Sequence, residues 1–322
     1  NVIERSSILK MPKLSIPLTQ PDDIIVFDDG IVEELCLEAF DTNKDNELSY
    51  EEAAAVTDLS VLKLSGKAIK WFNELQYFTS VTKIPNSMFS SCSTMLEITL
   101  PEGIVEIGRD AFSYCRALKS VVLPEKVTTI GNSAFYDCQK IKSVVVPNTV
   151  NNLGSSVFRS CDNLESVTLP ENITTINESM FSGCPMLSSV NIPESVTSIG
   201  NSAFSHCSSL SSINIPESVT SIGHSAFQGC SSLTSLNIPE KITNINQSLA
   251  EGCSSLKSIV FPKKIERIYK NAFYGCSALS SVTFKGNRVI SIGEGAFSGC
   301  VSLTSITLPK SLTTIGYNAF HS

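Results

Sequence analysis

The sequence predicts an α/β solenoid. In this fold, short parallel strands stack coil on coil, each coil adds about one helical turn, and a small helical cap closes the N-terminus. Three observations lead to this prediction. Cysteines recur every 23 residues from Cys92 to Cys276, and Cys300 follows after 24. The residues between them repeat as well, as in SSLSSINIPESVTSIGHSAFQGC at 208–230. The first 80 residues instead show a helical apolar pattern. A fixed period in this range is typical of solenoids, whose terminal units differ from the rest.

One strand and one helical turn are predicted in each coil. After Cys184, the apolar residues Val190 and Ile192 alternate with polar ones, which predicts a short strand with both side chains inward. Pro193 ends that strand. The segment 201–207 carries apolar residues four apart and predicts about one helical turn.

A second extended stretch lies between the strand and the turn. Val196 and Ile199 are expected to point inward, and Gly200 to turn the chain. Asn177 and Asn246 replace this glycine in other coils, which favours a positive φ at the position. Tyr269 replaces it in one coil, and we expect that coil to turn differently.

The N-terminal quarter divides into two parts before the array. Residues 1–23 carry three prolines and are predicted to be an extended lead-in. Residues 24–80 form the predicted cap, with helices expected at 31–40 and 67–78. Residues 81–322 form the solenoid of about ten 23-residue coils.

The segment DTNKDNELSYEE within the cap matches the spacing of a twelve-residue calcium loop. Oxygen ligands fall at the expected loop positions: Asp41, Asn43, Asp45, Glu47 (through its carbonyl), Ser49 and Glu52. Position 6 is Asn46 where glycine is usual, and asparagine tolerates a left-handed backbone. The sequence therefore predicts a helix–loop–helix that binds Ca²⁺. An acidic turn that only caps the second helix remains the alternative.

Charge and cysteine usage limit the function classes. Net charge is −7. Residues 1–60 hold 14 acidic and 4 basic side chains, and the remainder 17 and 20. An acidic head and a near-neutral array argue against a nucleic-acid partner. The chain has no C-x-x-C pair and three histidines, so the cysteine column is interpreted as buried structural thiols. Coil spacing alone leaves disulfides open.

Candidate binding residues lie where the repeat is interrupted or where it faces outward. Tyrosine and arginine are enriched at interfaces, and outward asparagines form a ladder on the strand face. The candidates are Tyr114, Tyr136 and Arg159 near the start, Asn191, Asn214 and Asn237 on the strand face, and Tyr269, Tyr274 and Tyr317 near the end. No serine or cysteine is placed beside a base by the repeat, so no enzyme is predicted. A plain solvated face is the alternative for the asparagines.

The repeat L-x-x-[VI]-x-[IL]-P-x-x-[VI]-x-x-I-G-x-x-A-F-x-x-C resembles the BspA-like class of leucine-rich repeats over residues 81–322. The segment DTNKDNELSYEEAAAV resembles the EF-hand-like leader before such arrays in surface proteins of gut and oral anaerobic bacteria. The resemblance implies a right-handed leucine-rich-repeat solenoid. It also implies a non-enzymatic, secreted or surface-anchored protein that binds host or matrix proteins or glycans. A structural spacer without a specific ligand is the alternative.

The chain ends carry two further expectations. The sequence begins at Asn1 without an initiator methionine, so we expect a mature form from which a signal peptide or lipid anchor was removed. It closes on GYNAFHS without a polar cap, which predicts further residues or end-on self-association. No stretch approaches the roughly 18 apolar residues of a membrane span.

Overall fold

The computed structural model describes residues 23–321, so the predicted lead-in at 1–22 and Ser322 lie outside the described residues. Within this range the chain is a solenoid of short parallel strands preceded by a small helical cap, which confirms the predicted fold class. Helix α1 spans Gly30–Phe40 and helix α2 spans Tyr50–Ala55. The carboxylate of Asp29 caps α1 by accepting the Ile31 N–H at 3.0 Å.

The strands form two columns that run the length of the solenoid, and every pairing within them is parallel. The first column comprises Trp71–Phe72, Glu97–Ile98, Ser143–Val145, Ser166–Thr168, Ser189–Val190, Ser258–Phe261 and Ser281–Phe284. The second comprises Lys83–Ile84, Glu106–Ile107, Thr129–Ile130, Asn152–Leu153, Thr175–Ile176, Ser198–Ile199, Ser221–Ile222, Asn244–Ile245, Arg267–Ile268, Ser291–Ile292 and Thr314–Ile315.

The helix expected at 67–78 is wrong. Trp71–Phe72 is a strand that pairs with Glu97–Ile98, and only Asn73–Tyr77 forms a short 3₁₀ helix. The main chain of Trp71 is therefore already part of the first strand column. Pairing with the next coil outweighs the local helical pattern.

The helical turn expected in each coil is a series of linked turns. In the segment after Gly200, Ser205 N–H donates to Ser202 O at 3.1 Å within the coil. Phe204 N–H donates instead to Ala226 O of the next coil at 2.8 Å. Ser202 has φ 53°. A residue with positive φ interrupts an α-helix, so the turn cannot propagate.

Gly200 allows close stacking, and the expected positive φ is wrong for this position. Its N–H donates to Ile176 O of the preceding coil at 2.7 Å. A Cβ atom at Gly200 would lie 2.6 Å from the Glu178 nitrogen, far inside contact distance. Glycine is used here because the two backbones approach so closely.

The two coils with asparagine at this position break the second sheet. The side-chain amide of Asn246 donates to Ile222 O at 2.6 Å, and that of Asn177 donates to Leu153 O. In both coils the longer side chain bonds to the carbonyl that the backbone N–H reaches elsewhere. The second column consequently divides into sheets of four, three and four strands.

A stack of phenylalanines fills the core between the strands and the turns. Neighbouring rings from Phe89 to Phe227 stack with centroids 5.1–5.9 Å apart. Ala250 interrupts the stack. Near it, the fully buried Phe261 packs edge-on against Phe273 at 5.7 Å, and Leu249 is buried as well.

The cysteines are free, buried thiols, as predicted. Each column thiol donates to a main-chain carbonyl of the preceding coil; for example, Cys184 Sγ donates to Phe158 O at 3.0 Å. Burial raises the pKa of Cys184 and of Cys230 to about 12. The column therefore supplies one inter-coil hydrogen bond per coil and no reactive thiolate.

Candidate functional site

A group of aromatic and charged side chains, all at least partly exposed except the buried Asp137, lies on three consecutive coils near the start of the array. We call Tyr114, Arg116, Tyr136, Asp137 and Arg159 the Tyr–Arg patch. The two tyrosine rings meet edge-to-face with centroids 5.1 Å apart. The Arg116 guanidinium lies 5.6 Å from the Tyr114 ring, and that of Arg159 lies 5.8 Å from the Tyr136 ring. Each cation thus covers one ring.

Backbone geometry brings the two rings together. Tyr114 has φ 62°, at a repeat position that is Gly183 or Gly229 in later coils. Its N–H donates to Tyr136 O at 2.7 Å, which ties the two coils at this point. A left-handed tyrosine costs about 1 kcal/mol or more. The left-handed conformation belongs to this repeat position, because Asp137, Ser160 and His206 adopt it as well.

One ion pair within the patch neutralises two of its charged side chains. Arg116 Nε donates to Asp137 Oδ2 at 2.8 Å, which raises the pKa of Arg116. The Tyr136 hydroxyl raises the pKa of Tyr114. Within residues 23–321 no ion pair involves Arg159. Its guanidinium is therefore available to an incoming acceptor.

Sequence reasoning selected three members of the patch and missed two. The structure brings Tyr114, Tyr136 and Arg159 together on neighbouring coils, as the repeat register predicts. Arg116 and Asp137 were missed. The signal was available, because both positions are small or uncharged in most other coils.

The C-terminal tyrosines do not form a comparable cluster. The exposed fractions are 41% for Tyr269, 46% for Tyr274 and 78% for Tyr317. Within the described part of the chain, no ring contact joins any two of them. They remain separate exposed side chains.

One of the outward asparagines forms hydrogen bonds with the main chain of the neighbouring coil. Asn191, Asn214 and Asn237 are all exposed on the strand face. Asn237 Nδ2 donates to Ile215 O at 2.7 Å, and its Oδ1 accepts the Ile215 N–H at 3.0 Å. An amide that competes with the main chain weakens strand pairing. No strand is formed at 212–214.

The predicted calcium loop is closed by its own hydrogen bonds. Asp41 accepts main-chain N–H groups from Lys44 at 2.7 Å and from Asn46 at 2.9 Å. Asn46 has φ 65°, the left-handed conformation expected at loop position 6. Asp45 accepts the Glu47 N–H at 2.9 Å, and its other oxygen accepts Asn43 Nδ2 at 2.7 Å.

The last loop residue also caps the second helix. Ser49 and Glu52 form a reciprocal capping box at the start of α2. Glu52 Oε1 accepts the Thr42 N–H at 2.8 Å, which joins the two ends of the loop. Burial opposes ionisation of Glu52, but these hydrogen bonds outweigh it and lower its pKa to about 2. Within residues 23–321, no three His, Cys, Asp or Glu side chains converge as a metal-binding group.

Known proteins share this architecture. A leucine-rich repeat protein from Bacteroides ovatus is 26% identical, with 94% of this chain and 83% of that one covered and a TM-score of 0.69. One from Eubacterium ventriosum is 24% identical, covering 76% and 80%, with a TM-score of 0.50. A leucine rich cell surface protein from Faecalibacterium prausnitzii is 28% identical, covering 74% and 77%, with a TM-score of 0.45. Among curated proteins, none matches the chain.

None of the helices within residues 23–321 is long and apolar enough to cross a membrane.

A comparison with protein-family models shows which family the chain belongs to. The family model for the BspA type leucine rich repeat region matches residues 82–211 and 197–322, which together include the whole array. The chain therefore belongs to the BspA type leucine rich repeat family.

Proposed function

We propose that this protein is a cell-surface or secreted scaffold, without enzymatic activity, that binds host or matrix macromolecules through the Tyr–Arg patch. The contact between the exposed Tyr114 and the half-buried Tyr136, each covered by an arginine, is the observation that carries the proposal. Protein partners fit best, because buried tyrosine and arginine side chains dominate the energy of protein interfaces. A glycan partner stays within the proposal.

The geometry of the patch favours binding at low entropic cost. Both rings are held by contact with each other and with a guanidinium, so little side-chain freedom is left to lose. Arg159 has no ion pair within the described residues and can bond a partner carboxylate with two N–H groups. The buried Asp137 holds the Arg116 guanidinium in place through a hydrogen bond. We infer a partner surface that carries carboxylates beside an apolar area.

The test is a binding screen of the folded protein against immobilised matrix and plasma proteins at about physiological ionic strength, where the Debye length is about 8 Å. The double variant Tyr114→Gly, Tyr136→Ser carries the residues that other coils have at these positions and should keep the fold. We expect it to lose binding by about tenfold or more. Tyr317→Asn, at an isolated tyrosine, is the matched control and should bind normally.

The structural spacer is the alternative function. It predicts that no partner is retained at this ionic strength, or that the double variant binds as the natural sequence does. Either result removes the patch from the proposal. Labelling of intact cells with an antibody to the array tests the surface location separately.

We also propose that the loop from Asp41 to Glu52 binds Ca²⁺. The left-handed Asn46 and the Asp41 carboxylate, which accepts the Lys44 and Asn46 N–H groups, support a tight turn around loop position 1. Calorimetry with CaCl₂ should show heat that Asp41→Ala abolishes. Asp58→Ala, outside the loop, is the control. Equal heat in both variants, or none in the natural protein, contradicts the proposal.

A further inference from the structure

One coil of the array differs from the others on its surface while its core is unchanged. The consensus stretch ESVTSIGN at 194–201 becomes KKIERIYK at 263–270. Each of its outward positions is replaced by a charged or aromatic residue. The inward residues stay apolar, and Ile265 and Ile268 are each 1% exposed.

The backbone of this coil also follows the other coils. Tyr269 N–H donates to Ile245 O at 2.8 Å, the bond that glycine makes elsewhere, so the expectation that this coil turns differently is wrong. The strand Arg267–Ile268 pairs with both of its neighbours in the second column. The substitutions therefore change only what this part of the solenoid presents to solvent.

Neighbouring coils extend the basic character. The next coil has no proline after its strand and inserts a residue in the turn that begins with Lys285. Gly286 allows this turn to pack on the main chain of Lys263, where a Cβ would lie 2.6 Å from the carbonyl oxygen. Residues 241–288 hold 8 basic and 2 acidic side chains, whereas residues 101–240 hold 7 and 12. The array thus reverses its charge at this point.

We call the following exposed residues the basic edge: Lys241, Lys263, Lys264, Arg267, Tyr269, Lys285 and Arg288. Two of its cations are paired within the array. Lys285 contacts Glu240 at 2.8 Å and Arg288 contacts Glu266 at 2.7 Å. No ion pair within residues 23–321 involves Lys241, Lys264 or Arg267. These three cations are free to bind an external anion.

We propose that the basic edge binds an acidic polysaccharide. Three of these cations occupy equivalent repeat positions in successive coils: Lys241, Lys264 and Arg288. Because coils stack at about 4.8 Å, these side chains form a row along the solenoid axis. A linear chain with a carboxylate or sulfate on successive sugars can contact several members of this row at once. Tyr269, at a glycine position, offers its ring to a sugar face.

Two other polyanions fit the surface less well. Single-stranded nucleic acids are bound by rows of aromatic side chains on which bases stack, and the basic edge contains one ring. An acidic protein would need an apolar centre to its interface, and the remaining exposed members of the edge are all charged. Uncharged hydrogen-bonding groups such as Asn287 and Thr243 lie beside the cations in the sequence and suit sugar hydroxyls.

The basic edge and the Tyr–Arg patch are separate surfaces. The basic edge lies on different coils and at different repeat positions. A failure of polysaccharide binding at the basic edge would leave the proposed protein binding by the Tyr–Arg patch unchanged. A failure of protein binding at the patch would likewise leave the polysaccharide proposal unchanged.

The probes are a heparin decasaccharide, a hyaluronan decasaccharide, a poly-glutamate chain and a single-stranded oligonucleotide of similar charge. Affinities are measured by calorimetry with the full chain at about 0.15 M ionic strength, where screening removes weak long-range attraction. We expect one or both oligosaccharides to bind more tightly than the last two probes. Heparin alone indicates sulfate recognition, and equal binding indicates recognition of carboxylates.

The variant Lys264→Ser, Arg267→Ser, Tyr269→Gly restores the residues of the consensus coil and should fold normally. We expect its affinity for the oligosaccharide to fall about tenfold, with a shallower salt dependence. Lys119→Ser, Lys140→Ser removes the same charge elsewhere and should change affinity less than about twofold. Equal losses in the two variants, no oligosaccharide binding, or tighter binding of the poly-glutamate or oligonucleotide overturns the proposal.

Discussion

At the residue scale, the stacking of coils depends on glycines, which have no Cβ atom. Gly223 leaves room for the preceding coil, whose Asn201 nitrogen would lie 2.5 Å from an added Cβ. Gly252 serves a different purpose, because it has φ 74° and its nearest neighbour to an added Cβ is 3.7 Å away. One glycine is needed for space and the other for backbone conformation.

Alanine at each of these two glycines separates the two causes. Gly252→Ala places an L-residue in the left-handed region and should cost about 1 kcal/mol. Gly223→Ala forces two coils apart and should cost about 3 kcal/mol. Thermal unfolding followed by circular dichroism measures both. Equal losses would show that the close approach of the coils adds no extra cost at Gly223.

The thiol column gives a second prediction at this scale. Burial raises the pKa of Cys184 to about 12, so almost no thiolate exists at neutral pH. We expect the native array to resist alkylation by iodoacetamide and the urea-unfolded chain to react at every cysteine. Rapid labelling of Cys184 in the native protein, read by peptide mass, would contradict the buried column.

At the scale of elements, the cap depends on the loop that closes it. Leu48 O accepts the Ile25 N–H at 2.8 Å, and Glu52 links the two ends of the loop. Helix α2 has 6 residues, too few to be stable alone. The capping box and the loop carboxylates therefore hold this helix in place.

The acid stability of the cap should follow Glu52. Its folded pKa of about 2 lies below the ordinary glutamate value of 4.5, so ionised Glu52 stabilises the fold above pH 4.5. That stabilisation is lost as pH falls from 4.5 towards 2. Trp71, the single tryptophan, lies within the cap region 24–80, and its fluorescence can report the change. Glu52→Gln should remove this acid dependence, while Glu51→Gln should retain it.

At the scale of the whole molecule, the sequence predicts the array well because its period is fixed by packing. Inward Val, Ile, Phe and Cys recur at the same positions, and they are buried as expected except near the C-terminal end of the array. The cap was harder to predict, since pairing of Trp71 with the next coil overrides a local helical pattern. Gly200 shows a further limit. The glycine itself indicated a special backbone position. Only the structure of the neighbouring coil shows that lack of room for a Cβ atom, and not a positive φ, favours glycine there.

The Tyr–Arg patch was predictable in outline for the same reason. A fixed register places Tyr136 and Arg159 at the same position of successive coils. The left-handed backbone of Tyr114, which brings its ring to Tyr136, has no signal in a single coil. The last described coil exposes Ile315 and Leu308. End-on self-association stays a prediction, to be tested by sedimentation at several protein concentrations.

Unfolding of the array should begin on the C-terminal side of the coil that holds Asn246. That coil lacks the stacked phenylalanine, because Ala250 replaces it, and its second sheet is interrupted. Coils that interact only with neighbours separate where the interface is weakest. Hydrogen exchange in mild urea should show residues 254–321 exchanging before 81–240. Asn246→Gly should bring the two rates closer, whereas Asn177→Gly should leave the order unchanged.

The two interruptions of the second sheet have a mechanical consequence. Force applied between the two ends would load the inter-coil bonds in series, and a series yields first at its weakest links. At Asn177 and Asn246 a side-chain amide replaces the second-column main-chain bond to the preceding coil. At Asn177 the first-column strands Ser143–Val145 and Ser166–Thr168 still join the two coils, whereas within residues 23–321 no first-column strand pair spans the junction at Asn246. A stretched molecule should therefore open first at the junction of Asn246 and lengthen in large steps, as groups of coils separate.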